Sequence, residues 1–419
     1  MKLPRNAALN VELVRSPTDV HAVGRLALDR AGAILEYDTA FVAGGLELHP
    51  LAPPALGPVI AREPRIFAGL HGMFADSLPD AWGDELVRRR CARAGIPFES
   101  LTSLDRLAIV GTHGMGALVY RPSVPDDGDD VIDFDALAHE ANEILEGRDS
   151  DVLPELERLG GSAGGAQPKV LVALNATGHA RAGAGEIPPG YDGWLVKFPS
   201  SHDVKDIGPL EAAYARMARA AGIDVPDHQL IAAGAKAPGY FASKRFDRAP
   251  GGMRRHVVSV AGVLDIDWIV PQIDYATLLR VVRRVTRSQE AVEEMFRRMV
   301  FNVGAHNRDD HAKQHAFIYG DDRRWHLAPA YDLTFSSGPN GEHYLAIGGE
   351  AADVSADAIR ATGDAQDVKP RRVRTIAGEV LEAVRRFREF AADFGVSKRT
   401  STQVHRALEP AIERLAPLA

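Results

Sequence analysis

At 419 residues the chain is too long for one hydrophobic core, so two or three domains are expected. It is 45% hydrophobic and 25% charged, which excludes a disordered polymer, and its single cysteine, Cys91, excludes an internal disulfide and fits a reducing cytosol. The net charge of −8 excludes a surface that binds nucleic acid by bulk charge; with no apolar run near the length of a membrane span or signal core, a soluble cytoplasmic protein is expected.

In chain order, a mixed α/β segment comes first, in which LPDAWGDELVRRRCARAG reads as a helix. The acidic, Pro- and Gly-punctuated stretch at 122–133, PSVPDDGDDVID, reads as an exposed linker. Beyond it the apolar spacing of Leu137, Ala138, Ala141, Ile144 and Leu145 predicts a helix over 134–147. Short apolar runs then predict strands at VLVAL (170–174), WLVKF (194–198), QLIAA (229–233) and GYFASKRF (239–246). Between the second and third lies a helix, LEAAYARMARAAG, ending at Gly222. From about Asp274 the pattern is mainly helical. The chain therefore divides into an N-terminal domain over 1–125, a β-rich lobe over 134–250 and a mainly helical lobe over 251–419. Basic clusters at Arg88–Arg90 with Arg93, at Arg280–Arg287, and at Lys369–Arg374 read first as solvated helix faces.

Three segments carry chemistry. GGSAGGAQPK, residues 160–169, sets four glycines around Ser162 and feeds a strand; glycines let backbone N–H groups approach phosphate oxygens. No Gly-Lys-Ser/Thr follows, so it is not a Walker loop, and a hinge or a close backbone crossing satisfies the same glycines. GTHGMG at 111–116 lacks a following lysine or acid in a suitable place and reads as a decoy. Lys197 interrupts the apolar strand GWLVKFP, where an ammonium group needs an anion; Glu211, opening the next helix, and nucleotide phosphates are both candidates. An edge-strand lysine with its amine in water is an equally good reading.

The third segment is HNRDDHAKQH, residues 306–315. Protein kinases place a catalytic Asp five residues before a metal-binding amide and a second Asp downstream. Here Asp309 precedes Gln314 by five, Asp310 has no such partner, and Asp332 ends the run LAPAYD. Asp309 is therefore the candidate proton acceptor, Lys313 the candidate cation for a transferring phosphoryl group, and Asp332 a hard-cation ligand. A competing reading makes His306, Asp310, His311 and His315 metal ligands of a phosphohydrolase, with His311 and His315 on one helix face. It leaves the glycine loop, Lys197 and Asp332 unexplained.

Taken together, LPDAWG, VGTHGMGAL, GGSAGGAQPK, WLVKFP, SKRFDR, HNRDDHAKQH and LAPAYDL resemble the HipA family of bacterial serine/threonine kinases, toxins of toxin–antitoxin pairs. The resemblance covers most of the chain. It implies an α+β, protein-kinase-like two-lobed fold, with a β-rich N-lobe, a mainly helical C-lobe and an additional N-terminal α/β domain. It implies ATP and Mg²⁺ as cofactors. The implied partners are a helix-turn-helix antitoxin, operator DNA reached mainly through that antitoxin, and a protein substrate in translation, such as glutamyl-tRNA synthetase.

Residue by residue, the resemblance implies that Gly164, Gly165, Ala166, Gln167, Pro168 and Lys169 cradle phosphates that Lys197 also binds, with Glu211 as its partner. Lys244, Arg245 and Phe246 form the strand that contacts adenine. His311, Ala312, Lys313 and Gln314 line the site with Tyr331, while Asp332 and Gln314 hold Mg²⁺. Ser162 is the self-phosphorylated residue. The family normally has Asn where Gln314 stands. The added methylene is expected to weaken one metal site or to require a shifted backbone, because Mg²⁺ demands near-ideal octahedral geometry. On that ground a non-catalytic, kinase-shaped scaffold joining an antitoxin on operator DNA is the alternative.

Overall fold

The computed structural model describes residues 8–30, 32–62, 66–123, 132–148, 153–160, 165–183, 185, 187–201, 203–234 and 238–419. The expected linker lies largely outside these, as do Ser162 and Gly164. No described helix is long and apolar enough to cross a membrane.

The N-terminal domain is built on an antiparallel sheet of β1 (Ala8–Ser16), β2 (Asp19–Leu28), β3 (Ala33–Tyr37), β4 (Pro58–Ile60) and β5 (Leu118–Arg121), in the order β4-β3-β2-β1-β5. Alternation in β1 places Leu9, Val11 and Leu13 inside. The register shifts between Val11 and Glu12, opposite Gly24. Gly24 sits at φ +151°, where a Cβ would come within 2.1 Å of the Glu36 carbonyl oxygen, so the bulge requires glycine. Helices Ala81–Arg93 and Ser103–Val110 complete the domain. Thr102 and Asp105 cap the second reciprocally: the Thr102 hydroxyl accepts from the Asp105 N–H at 3.1 Å, and the Asp105 carboxylate accepts from the Thr102 N–H at 3.0 Å.

A second antiparallel sheet, ordered β7-β6-β8-β10-β9, contains β6 (Lys169–Asn175), β7 (Ala180–Ala182), β8 (Tyr191–Lys197), β9 (His228–Ile231) and β10 (Tyr240–Lys244). Its register sets Lys169 directly opposite Lys197. Two short pairings follow: β11 (Arg248–Ala249) with β12 (Met253–Arg254), and β13 (His256–Ser259) with β14 (Ala316–Tyr319) and β15 (Trp325–Leu327). Helices Tyr275–Thr286, Gln289–Gly304, Ala356–Asp364 and Lys398–Leu415 begin at Asp274, Ser288, Ser355 and Ser397, whose side chains accept from backbone N–H groups three residues on. Phe296, Met299 and Val300 belong to one buried core with Ile376, Val380 and Leu381 of helix Pro370–Arg385.

Several boundaries differ from expectation. The helix predicted over 134–147 stops at Leu145, with Gly147 at φ +79°. Helix Leu153–Gly160, ahead of the glycine loop, was not expected. The strand predicted over 239–246 ends at Lys244, so Arg245 and Phe246 follow it rather than form it. His311 and His315 do not share a helix, because Ala312–Gln314 is a single 3-10 turn leading into β14.

The N-terminal domain docks closely on residues 247–265. Gly72 and Gly262 meet so tightly that a Cβ on Gly72 would lie 2.4 Å from the Gly262 carbonyl oxygen. The Gly72 N–H donates to Asp265 at 2.8 Å, and Asp76 accepts from the Ser259 N–H at 2.6 Å and the Ser259 hydroxyl at 2.8 Å. The GTHGMG segment has its place here too. Asp247 accepts from the Gly116 N–H at 2.8 Å, and Arg248 donates to the Gly116 and Gly114 carbonyls at 2.7 and 2.9 Å. Glycines at these positions let an Arg–Asp pair grip bare backbone.

Candidate active site

A cavity of about 240 Å³ lies where the three parts meet. The second sheet contributes Lys169, Lys197 and Lys244; the helical lobe contributes His311, Lys313, Gln314, Tyr331 and Asp332; the N-terminal domain contributes Asp76, Asp80 and Met115.

Lys197 is the hub. The β8 backbone carries it inward, where its side chain is buried. Its ammonium is 3.1 Å from Glu211, which enters from helix Ile207–Ala220, and pairs also with Asp332. Burial works against that charge, but Asp332 and Glu211 outweigh it and hold the Lys197 pKa above the ordinary lysine value. Partial burial works against the Asp332 charge, but Lys197 and Lys169, with the Gln314 hydrogen bond, hold its carboxyl below the usual carboxylate range. Lys169 fares differently: burial lowers its pKa to about 8, and the facing Lys197 adds to the shift.

Asp332 sits at φ +58°, a left-handed conformation that aspartate tolerates better than most residues. Gln314 donates its side-chain amide to Asp332 at 2.9 Å, and its amide favours the charged form of the Asp309 carboxylate nearby. The longer side chain therefore reaches Asp332 with an ordinary hydrogen bond. Asp309 is nearly half exposed, and its Oδ1 lies 3.8 Å from His311 Nε2. Partial burial raises its pKa, with His311 pulling the other way. The Tyr331 hydroxyl donates to the Lys313 backbone carbonyl at 2.7 Å, and the Tyr331 ring stacks with Phe246 at 5.8 Å between centroids.

Not every expected site residue turns a free side chain to the cavity. Arg245 is buried and donates to Asp247 at 3.0 and 2.7 Å, and Lys244 pairs with Asp192 at 2.8 Å. Asp310 faces away from the site: it accepts from the Tyr275 hydroxyl at 2.8 Å and the Tyr344 N–H at 2.9 Å, with His343 Nδ1 at 2.9 Å. The His306 ring stacks on Phe335 and its Nδ1 lies 3.2 Å from the Ser336 carbonyl oxygen. Among the described residues no three His, Cys, Asp or Glu side chains converge as a metal cluster, so the four-ligand hydrolase arrangement does not form.

Two site neighbours were missed. Asp80 and Asp76 come from the N-terminal domain, whose LPDAWG motif stands out in the sequence without a role. Asp80 accepts from Lys313 Nζ at 2.5 Å and from the Gly165 N–H at 2.7 Å. No local signal in that motif points to the groups it meets.

Comparison with known proteins agrees with this architecture. The model of the HipA-like C-terminal domain matches residues 161–387, and that of the HipA N-terminal domain matches residues 18–121. The Sinorhizobium fredii protein named "Putative kinase Y4dM" is 34% identical over 152 residues, covering 33% of this chain and 36% of that relative; the match thus spans about a third of its length. The structure of the Shewanella oneidensis HipA, HipB and operator DNA complex superposes with a TM-score of 0.67 at 17% identity, covering 98% of this chain and 97% of that one, which shows a shared fold. With one family model covering more than half of its residues and a second covering its N-terminal domain, the chain belongs to the HipA-like family.

Proposed function

We propose that this chain is an ATP- and Mg²⁺-dependent serine/threonine protein kinase acting as the toxin of a toxin–antitoxin pair. The observation that carries the reading is the Lys197–Glu211–Asp332 cluster, in which Lys197, Asp332 and the bonded Gln314 line one cavity, with the Asp309 carboxylate near Asp332. Kinases use such a lysine–glutamate pair to hold nucleotide phosphates, and the two acids to hold metal and accept a proton.

The residues fit both cofactors. Asp332 and the Gln314 amide are oxygen-bearing groups of the kind Mg²⁺ takes from proteins, and Lys197 and Lys169 supply positive charge for phosphates. Bound Mg²⁺ would screen phosphate charge and orient the nucleotide. Asp309 would take the proton of a substrate serine or threonine hydroxyl as its oxygen forms a bond to the γ-phosphorus and the bond to ADP breaks. Partial burial makes Asp309 a stronger base than a solvated carboxylate. Lys313 would offset the charge on the transferring group. Phe246 and Tyr331 provide an aromatic wall for a base.

The family resemblance supports a translation protein as substrate, with glutamyl-tRNA synthetase the first to test, and Ser162 as the self-modified residue. The matched complex of HipA, HipB and operator DNA supports a DNA-binding antitoxin as partner. The test is incubation with γ-labelled ATP and Mg²⁺ followed by phosphosite mapping. The reading expects label on protein serine or threonine, lost in Asp309→Asn. ATP binding without any transfer would favour the scaffold instead.

A further inference from the structure

We propose that Asp80 is a positioning residue for phosphoryl transfer, so that the N-terminal domain is a working part of the active site and not an appendage; the inference rests on the kinase reading above. Asp80 precedes helix Ala81–Arg93 and reaches across into the cavity. One carboxylate oxygen accepts from the Gly165 N–H at 2.7 Å, and the other accepts from Lys313 Nζ at 2.5 Å. A single side chain thus ties the glycine loop of one lobe to the catalytic-loop lysine of the other, spanning 85 and 233 residues of sequence.

The neighbouring bonds show that this grip is built. Two residues on, the Trp82 N–H donates to the Gly165 carbonyl at 3.2 Å, and its indole N–H donates to the Lys169 carbonyl at 2.9 Å. Trp82 is fully buried. At the other end of the loop, a Cβ on Gly160 would lie 2.9 Å from the Trp82 indole nitrogen and 2.8 Å from the Lys169 carbonyl oxygen. So the LPDAWG segment bonds the backbone that follows the loop, and Gly160, just before it, leaves room for Trp82. These bonds fix where the Gly165 N–H lies.

Lys313 needs the same help. A lysine side chain has four rotatable bonds, and an ammonium that must meet a transferring phosphoryl group gains from being held in place. Its backbone is fixed by Tyr331, its ammonium lies 5.7 Å from the Trp268 ring centroid, and Asp80 supplies the charged contact.

The experiment is a double-mutant cycle on ATP turnover with Asp80→Asn, Lys313→Met and the pair, together with Asp80→Glu and hydrogen exchange of the segment from Gly165 to Leu171. Asp80→Asn should lower kcat about tenfold, with less than about a twofold further effect in the Lys313→Met background, because the two act as one unit. Asp80→Glu, which keeps the charge on a longer arm, should recover several-fold of the loss. Exchange at Gly165 should quicken in Asp80→Asn. Wild-type kcat in Asp80→Asn, effects that multiply with Lys313→Met, or Asp80→Glu no better than Asp80→Asn would each overturn the proposal. If Asp80→Asn fails to fold, the Asp80→Glu and Lys313→Met comparison decides alone. A wild-type chain that binds no ATP would overturn the kinase reading itself, and unchanged Gly165 exchange would overturn the clasp whatever the chain's activity.

Discussion

Asp309 and Asp310 are adjacent in sequence and occupy opposite environments: the Asp309 side chain is 46% exposed in the site, and the Asp310 side chain is fully enclosed by Tyr275, His343 and Tyr344. Their substitutions should therefore fail in different ways. Asp309→Asn should abolish transfer while changing stability by less than about 0.5 kcal/mol. Asp310→Ala should cost about 3 kcal/mol, since it strands the Tyr275 hydroxyl and the Tyr344 N–H in the core. Urea unfolding of both variants, beside the transfer assay, checks the split. Comparable stability loss in the two would contradict it.

Lys197→Met should destabilise the fold as well as remove phosphate binding. It leaves Glu211 and Asp332 facing each other without the cation between them, and breaking a buried ion pair from one side costs about 3–5 kcal/mol. The double variant Lys197→Met with Glu211→Gln should regain part of that stability and none of the nucleotide affinity. Thermal unfolding and nucleotide titration measured on the same samples separate the two effects. A double variant less stable than the single one would show that Glu211 has another role.

Gln314→Asn shortens an amide that donates to Asp332. The arm loses one methylene and with it the 2.9 Å contact to Asp332. The Mg²⁺ concentration needed for half-maximal nucleotide binding should rise about tenfold. An unchanged or lower requirement would mean that the backbone of the Ala312–Gln314 turn adapts freely.

His256 makes folding stability pH-dependent. It is buried, its Nε2 lies 2.9 Å from the Leu48 carbonyl of the N-terminal domain, and burial lowers its pKa from 6.5 to about 4. The folded chain keeps this imidazole neutral while the unfolded chain takes up a proton below pH 6.5, so the unfolded state binds more protons between the two values. The contribution is present in full above pH 6.5 and is lost as pH falls toward 4, by up to about 3 kcal/mol. Denaturant midpoints of the wild type and His256→Gln across pH 4–7 should show a shallower acid slope in the variant.

What the sequence made legible were residues whose chemistry demands a partner of a known kind. Lys197 in an apolar strand had to find an anion, and Glu211 supplied it, though from past the first turn of a helix that begins at Ile207 and not from its opening residue. Asp309 was separable from Asp310 because only one has an amide five residues on. The polar run around His311 was misjudged as helical because periodicity says little over so few residues, and its backbone is set by the turn that feeds β14. Asp80 and Trp82 were beyond reach for another reason: nothing local to LPDAWG says which distant backbone it meets.

The docking of the N-terminal domain on residues 247–265 has a consequence for how the chain is made. Val11, Phe74 and Tyr120 share one core cluster with Val258, Val260 and Phe296, and Gly114, Gly116 and Asp76 wait for Asp247, Arg248 and Ser259. During synthesis the first sheet leaves the ribosome well before those partners exist, at about 5–20 residues per second. For several seconds, then, each nascent molecule carries an open apolar face and unmet backbone groups, and the candidate site cannot assemble until the chain is more than half made.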